Sequence, residues 1–592
     1  MALTGEYSQT FDRDDICQCL FGGQTVNSNT LATRDAAKLT GAASSNNACS
    51  SDCDDCDDCC IVVSGSCVDA GKRDANDWVA DYFGLPTDYQ STICFAPRIR
   101  NFVADVQGYF GFNHDCAQNF YARFNMPITW TEWNLNYTEK IIEEGTRDHQ
   151  KGYFDASYVA RVDLVKQATD FFTGRSVPAL ATATFEALAC SKWAPACDSC
   201  FDRKKVKVAD VEGVLGWNFA CDDECYIGLN VRATAPTGTR PKGEFLFEPI
   251  IGNGKHWELG GGLTSHAQLW HCDHSDAALN FYLDANITHL FKACQTRCFD
   301  LTGRPNSRYW LALKLGANKD GLAGGSGETP ELSDFQFASA FAPVANLTCV
   351  KVNVRANVQA DIALKFAYTT GCGFGADLGY NFWMRSCDKI KRCRLTRLET
   401  ENWALKGTAY VYGFETFPTS NADQGTPVAL APSASAPTIA CGDSANTLSN
   451  IDNPQTAVFI APSESATIIS ANCLANAQCV GASDSGNVNT SIQPKLLSAS
   501  DIDFVGSKGM SHKIFAHLDY NWKNGKNYIP FVGVGGSGEF GQENGCDERC
   551  DESVDAACSF MQSCDSDNIA RDCVRCAISQ WSVWIKGGVA FN

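Results

Sequence analysis

Closely spaced cysteines are the residues of this chain whose types and spacing suggest chemistry. The sequence holds 31 cysteines among 592 residues, and aspartates and cysteines fill positions 52–60. Cys53, Cys56 and Cys59 recur there at the spacing that zinc ligands use. Because cysteines are spread over many loop-like segments, we expect disulfides and no metal site. The candidates for disulfide bonds are Cys53, Cys56, Cys59, Cys60, Cys197, Cys200, Cys221, Cys225, Cys294, Cys298, Cys546 and Cys550.

The cysteine content also indicates an oxidising compartment, such as the bacterial periplasm or cell surface. The odd number of cysteines leaves at least one thiol free or paired with another chain. The first residues, MALTGEY, lack the basic start and apolar core of a signal peptide, which leaves either a protein that stays inside the cell or a mature chain with an added Met1. The cysteine content favours the mature chain. A net charge of −20 argues against nucleic-acid binding.

Other candidate sites are weak. His256, His266, His271 and His274 surround one predicted hairpin, where a metal or pH-sensing site is conceivable but a solvated turn fits better. The glycine–serine motifs at 324–328 and 506–510 do not match the G-x-S-x-G turn of hydrolases. We therefore expect no catalytic residues, no cofactor and no enzyme activity.

The elements that would position functional side chains are strands with one apolar and one polar face. At the C-terminus, Trp581, Val583, Ile585, Val589 and Phe591 share one face, while polar side chains such as Ser582 and Lys586 share the other. The same alternation recurs over residues 350–368, which would span roughly 60 Å as a strand. Strands of soluble sandwiches usually have about 5–6 residues. The length of this segment favours a barrel.

The pattern predicts an all-β fold, an antiparallel transmembrane β-barrel with long cysteine-rich loops. Twelve segments alternate clearly: 98–113, 119–130, 213–220, 226–236, 256–269, 278–291, 350–368, 374–384, 403–413, 513–522, 528–540 and 580–592. Barrels of this type usually have an even number of strands. We expect about 14 strands if residues 139–210 and 308–315 contribute one each, or 16 if residues 131–210 contain further strands. Side chains cannot fill so wide a barrel, so its polar face meets water inside and its apolar face meets lipid.

Three segments fall outside this pattern. We predict that residues 1–98 form an irregular, cysteine-rich N-terminal segment that acts as a plug or cap, and that the barrel spans residues 99–592. Polar, alanine- and serine-rich stretches at about 415–507 and 541–577 predict large loops.

Charges on the polar strand faces are the candidates for a role in transport. Rings of such charges set ion preference in pores, although they could also only solvate a wide channel. The lumen-facing candidates are Lys351, Arg355, Asp361, Lys365, Arg232, Asp284, Asp377 and Lys406.

The stretch from Trp581 to Phe591, the short-spaced cysteines and the long cysteine-bearing loops resemble the cysteine-rich major outer membrane proteins of chlamydia-like bacteria. The resemblance implies an outer-membrane β-barrel porin that also stiffens the envelope through disulfides between chains. We expect passive diffusion of small hydrophilic solutes, with outer-membrane lipid, solutes and homo-oligomeric or disulfide-linked neighbours as partners. One alternative is a structural surface protein whose barrel is an anchor and whose cysteine loops cross-link neighbours. The other is a soluble extracellular β-rich protein.

Overall fold

Twelve antiparallel strands close into a barrel in the computed structural model. The structure describes residues 1–21, 59–65, 68, 78–112, 119–149, 158–181, 183–195, 203–221, 224–302, 304, 306–316, 337–405, 411–415, 426–430, 496–523, 528–542 and 573–591. The barrel strands are β1 (Ala2–Thr10), β2 (Arg98–Phe112), β3 (Asn119–Asn134), β4 (Val211–Cys221), β5 (Cys225–Ala235), β6 (Glu258–Cys272), β7 (Ala277–Arg297), β8 (Val350–Thr369), β9 (Phe374–Arg385), β10 (Gly506–Asn521), β11 (Tyr528–Gly541) and β12 (Gln580–Phe591).

Two pairings complete the ring. The last strand, β12, pairs with β1 from Ala2↔Gly588 to Thr10↔Gln580. The β4 strand pairs with β3 from Glu212↔Asn125 to Asn218↔Asn119. Closure leaves no edge strand in the ring, so the strands satisfy one another's backbone groups, as a lipid environment requires.

The strand count and one boundary differ from the sequence prediction. The ring has twelve strands, neither 14 nor 16. The 403–413 segment adds none, because Asn402–Leu405 pairs with Leu311–Leu315 in a separate sheet. Conversely, the 1–98 segment, which was predicted to be irregular, supplies β1. The apolar face of that strand is interrupted, because Gly5 and Gln9 share the outward side with Leu3 and Tyr7.

The alternation sorts side chains to the two surfaces of the barrel. Outward residues such as Leu215, Val231 and Ile585 are 68%, 60% and 64% exposed. Inward polar residues such as Asn218 and Asn230 are buried. The apolar face therefore points away from the lumen, opposite to the arrangement of a small soluble barrel.

The two ends of the barrel differ. Short turns join the strands at the end where Met1 and Phe591 lie, and long connections join them at the other end. We call the described parts of the long connections the cap. One cap sheet has the order Trp78–Val79, Cys59–Ser64, Gln90–Phe95 and Tyr137–Glu143. A second has the order Asn402–Leu405, Leu311–Leu315, Phe337–Pro343 and Thr184–Phe185.

Smaller elements complete the cap. Short strands extend three barrel strands: Lys204–Val208 pairs with β3, Asp388–Arg392 with β8 and Cys573–Arg575 with β10. Val411–Glu415 pairs with Thr426–Leu430. The helices are Asp14–Phe21, Ala168–Phe172, Val344–Thr348 and Arg397–Thr400, with 3₁₀ turns at Ala80–Phe83, Arg161–Asp163, Ser307–Tyr309 and Ala499–Asp501. Among the residues the structure describes, no helix is long and apolar enough to span a membrane.

The cap has a hydrophobic core of its own. The rings of Phe172 and Trp193 stack with centroids 3.8 Å apart, and the Trp193 indole donates to Tyr309 Oη at 3.1 Å. Other large core side chains are Trp78, Tyr82, Phe83, Tyr89, Phe95, Phe171 and Trp403. Disulfides Cys19–Cys576 and Cys387–Cys573 join segments that flank barrel strands. The cap is thus a packed module above one barrel mouth, and the large loops predicted at 415–507 and 541–577 lie mostly outside the described residues.

Candidate functional site: the barrel lumen

Charged side chains line the barrel interior because they occupy the inward positions of the alternating strands. Acidic residues outnumber basic ones along the described strands. The acidic residues at inward positions are Glu6, Asp105, Glu212, Glu258, Asp284, Asp361, Asp377, Asp519 and Glu539, and the basic ones are Arg123, Arg232, Arg297, Lys365, Arg385, Lys513 and Lys586. The lumen therefore has a negative excess.

Three of the basic groups are paired with acids on adjacent strands. Lys365 Nζ lies 3.1 Å from Asp377 Oδ2, and Lys513 Nζ lies 3.1 Å from Glu539 Oε2. The Arg232 guanidinium donates two hydrogen bonds to Glu212. These pairs hold long side chains against the wall, so the charges line the lumen while their positions stay defined.

One ion pair reaches across the lumen. Arg123 Nη1 on β3 lies 3.0 Å from Asp284 Oδ2 on β7, although β4, β5 and β6 separate these strands around the ring. Nearby, Tyr121 Oη on β3 and Thr264 Oγ1 on β6 lie 3.5 Å apart. The Arg123 and Asp284 side chains remain 33% and 32% exposed, so solvent reaches both. We call this crossing pair the constriction.

Glycines let bulky inward side chains lie flat on the wall. A Cβ at Gly216 would overlap the Tyr121 ring, and a Cβ at Gly379 would overlap the Phe515 ring. Each ring therefore covers the backbone of the neighbouring strand and does not point toward the barrel axis. A larger residue at either glycine would push the ring into the lumen.

One group of metal-ligating side chains occurs in the described part of the chain. Asp377, His517 and Asp519 each present a ligand atom, all within 4.8 Å of one another. Lys365 already pairs with Asp377, and the Asn521 amide donates to Asp519 at 2.6 Å. These contacts describe a hydrogen-bonded patch of the lumen wall. The histidines that surround the predicted hairpin are dispersed: His256 is buried in the cap, His266 faces the lumen, His271 lies near the end of β6 and His274 lies in the turn that follows.

The predicted lumen residues fall into three groups. Asp361, Lys365, Arg232, Asp284 and Asp377 occupy inward positions of their strands. Lys406 lies outside the described residues.

Lys351 and Arg355 were predicted wrongly. Both are exposed, and Val352 and Val354 of the same strand lie in the cap core. The cause is a bulge: Leu290 pairs with Ala356 but Thr288 pairs with Gln359, so β8 has one extra residue there and its inward face switches from even to odd positions. The Ser386 hydroxyl accepts from the Val358 amide at 3.0 Å at this bulge.

The predicted disulfide residues also divide. Cys60 pairs with Cys94 across the first cap sheet. Cys59, Cys225, Cys294 and Cys298 carry free thiols in the structure. Nothing is described of the side chains of the remaining candidates, Cys53, Cys56, Cys197, Cys200, Cys221, Cys546 and Cys550.

Sequence reasoning missed several lumen residues that the same alternation could have identified. Arg123 lies on the polar face of the 119–130 segment but is not among the predicted lumen residues, and Glu212, Lys513 and Glu539 occupy equivalent positions on their strands. Alternation predicts that such residues face inward. It does not predict that Arg123 meets Asp284, because that contact depends on the cross-section of the closed barrel.

Comparisons with known proteins give little beyond this geometry. No protein-family model and no curated protein matches the chain. Among solved structures, an outer membrane channel from Pseudomonas putida F1 is similar, with 6% sequence identity over 99% of this chain and 95% of that chain and a TM-score of 0.28. These values assign the chain to no family, and the resemblance to the chlamydia-like proteins stays a prediction.

Proposed function

We propose that this chain is a bacterial outer-membrane channel that lets small hydrophilic solutes diffuse passively. The observation that carries the proposal is the combination of an apolar outer face with a charged lumen that solvent enters. The constriction shows that the lumen is charged and that solvent enters it, because Arg123 and Asp284 meet inside the barrel and yet stay about one-third exposed. No catalytic step belongs to the proposal.

The outer surface has the dimensions of a membrane-spanning band. Exposed aromatic side chains surround the short-turn end, namely Phe112, Phe120, Trp217, Trp270, Phe374, Trp522, Tyr528 and Phe591. A second set lies toward the cap: Phe102, Trp257, Phe291, Phe540 and Trp581. Such girdles mark the two membrane interfaces of bacterial barrels. The separation of Trp581 and Phe591 along β12 matches the roughly 9–11 tilted residues that cross a bilayer.

The difference between the two ends of the barrel indicates how it would be oriented in the outer membrane. Outer-membrane barrels have short turns on the periplasmic side and long loops outside the cell. By that rule the short turns and Met1 face the periplasm, and the cap faces the exterior. Solutes would then pass the cap before they reach the constriction.

Solute flux tests the proposal. Purified protein in lipid vesicles should cause swelling in isosmotic monosaccharide, with rates that fall as disaccharides and longer oligosaccharides replace it, because the constriction limits size. Vesicles with heat-denatured protein serve as the control. Vesicles that contain folded, inserted protein and yet do not swell in any solute would contradict the proposal.

A second candidate function is a surface anchor whose cysteines cross-link neighbouring chains. Exposed free thiols favour it, because Cys225 and Cys372 lie at the short-turn end of the barrel. Gels of intact envelopes, run with and without reductant, separate the two functions. Reductant-sensitive oligomers support the anchor, and a monomer in both lanes argues against it.

A further inference from the structure

Three chain segments meet at one carbonyl group in the cap. The Gly243 oxygen accepts a hydrogen bond from the Ser191 amide at 3.0 Å, and Cys349 Sγ lies 3.7 Å from the same oxygen. Ser191 directly follows Cys190, so this carbonyl brings the two cysteines side by side. Lys192 strengthens the junction, since its amide donates to the Glu244 carbonyl at 2.9 Å.

The Cys190 and Cys349 side chains are close enough for each thiol to alter the pKa of the other. A third thiol, that of Cys298, is close by, but it donates to the Ala345 carbonyl at 3.8 Å and contacts Thr348 Oγ1 at 3.9 Å. The three cysteines do not form a metal-ligand group of the kind found at Asp377 among the described residues. The arrangement is a pair of thiols with a separate neighbour.

We propose that Cys190 and Cys349 are a dithiol that an external disulfide oxidises to an intramolecular disulfide bond. The Cys190 thiolate attacks one sulfur of the external disulfide, forms a mixed disulfide and releases one thiolate. Cys349 then loses its proton, attacks Cys190 Sγ and releases the second thiolate, which takes up that proton. The protein loses two electrons and two protons, and the external disulfide becomes two thiols.

The groups around each thiol determine which cysteine attacks the external disulfide first. The neighbouring Cys349 thiol, together with the charge of Lys192, lowers the pKa of the Cys190 thiol against the opposing effect of burial. The Cys190 thiol and burial raise the pKa of Cys349. Burial raises the pKa of Cys298 to about 12, so this thiol is a poor nucleophile. Cys190 is therefore the attacking group.

The bond would fasten the cap to the barrel. Cys349 directly precedes β8, and Cys190 lies three residues before Trp193 in the cap core. The chain between the two cysteines includes β4, β5, β6 and β7, so the disulfide would close a long loop and restrict the unfolded chain.

Peptide mapping of the full-length protein tests the proposal. Thiols are blocked with N-ethylmaleimide at lysis, without reductant, and the purified protein is digested with trypsin. The tryptic peptides 176–192 and 320–351 each contain one cysteine, Cys190 and Cys349 respectively. The expected result is one cross-linked species of these two peptides that reductant separates. Either peptide recovered mainly as its maleimide adduct, or joined to another peptide such as 298–308, overturns the proposal.

A trapping experiment tests the order of attack. After reduction, the folded Cys349→Ser variant is treated with oxidised glutathione, and the glutathione adduct should reside on peptide 176–192. The matched Cys190→Ser variant should carry much less adduct on 320–351. Equal modification of both variants contradicts the assigned order. If either variant does not fold, initial alkylation rates of the reduced wild-type protein replace it: peptide 176–192 must react faster than 320–351 and 298–308.

Discussion

The substitution Ile585→Arg distinguishes a lipid-facing barrel from a water-facing one. Ile585 lies near the middle of β12, between Trp581 and Phe591, beside Gly5 of β1 and Val534 of β11. Its side chain is 64% exposed on the outer face. If that face met water, the arginine would be solvated and the free energy of unfolding would change by no more than about 0.5 kcal/mol.

In a bilayer the same arginine would lie near the midplane. Arginine there destabilises outer-membrane barrels by about 2–4 kcal/mol. Because 1.4 kcal/mol corresponds to a factor of ten, the folding equilibrium should shift by roughly 30- to 700-fold. Val162, which is 80% exposed in the cap, provides the control: Val162→Arg should have almost no effect.

Equilibrium unfolding by denaturant in lipid vesicles measures both variants, and Ile585→Leu controls for loss of packing alone. A large loss of stability for Ile585→Arg with none for Val162→Arg fits a lipid-facing band. A change for Ile585→Arg as small as that for Val162→Arg would refute the reasoning.

Other predictions concern the lumen and the cap. Because acidic residues exceed basic ones in the lumen, the reversal potential in a salt gradient should show cation preference, and a preference for anions would be the wrong sign. The Arg123→Ala/Asp284→Ala double variant removes the constriction, so single-channel conductance should rise; unchanged conductance would show that the narrowest point lies elsewhere. Phe172→Ala removes the ring stacked on Trp193 and should destabilise the cap by about 3–5 kcal/mol in denaturant unfolding, whereas a loss below about 1 kcal/mol would mean that the cap is loosely packed. Burial lowers the pKa of His256 despite its hydrogen bond to a backbone carbonyl, so the unfolded state takes up a proton first and stability should fall as the pH drops below about 6.5. Thermal unfolding from pH 7.5 to 5 should show a smaller fall for His256→Gln, and an identical fall would exclude this contribution.

Alternation in the sequence predicts most of the barrel because each spanning strand meets lipid on one face and water on the other. Alternation fails as a guide where one strand passes from the barrel wall into the cap. The even positions of β8 stay apolar throughout, yet Val352 packs in the cap core while Leu364 points outward, since the bulge near Val358 rotates the strand between the two regions. The sequence shows no break there, so Lys351 was assigned to the lumen.

Other errors come from local composition and from distant contacts. The run Trp403-Ala404-Leu405 is buried on every side in a cap sheet, and sequence alone does not separate such a strand from a barrel strand. The partners of Cys60 and Arg123 depend on how far-apart segments meet, which no local pattern contains. Residue types on a face were therefore predictable, whereas the pairings that shape the lumen were not.

Single-channel recording in a planar bilayer tests the central claim most directly. Purified, folded protein should insert and produce discrete, repeatable conductance steps in potassium chloride. Insertion is verified independently by protection of the barrel strands from protease. Protein that inserts and is protected but gives no steps under any applied voltage would contradict the channel.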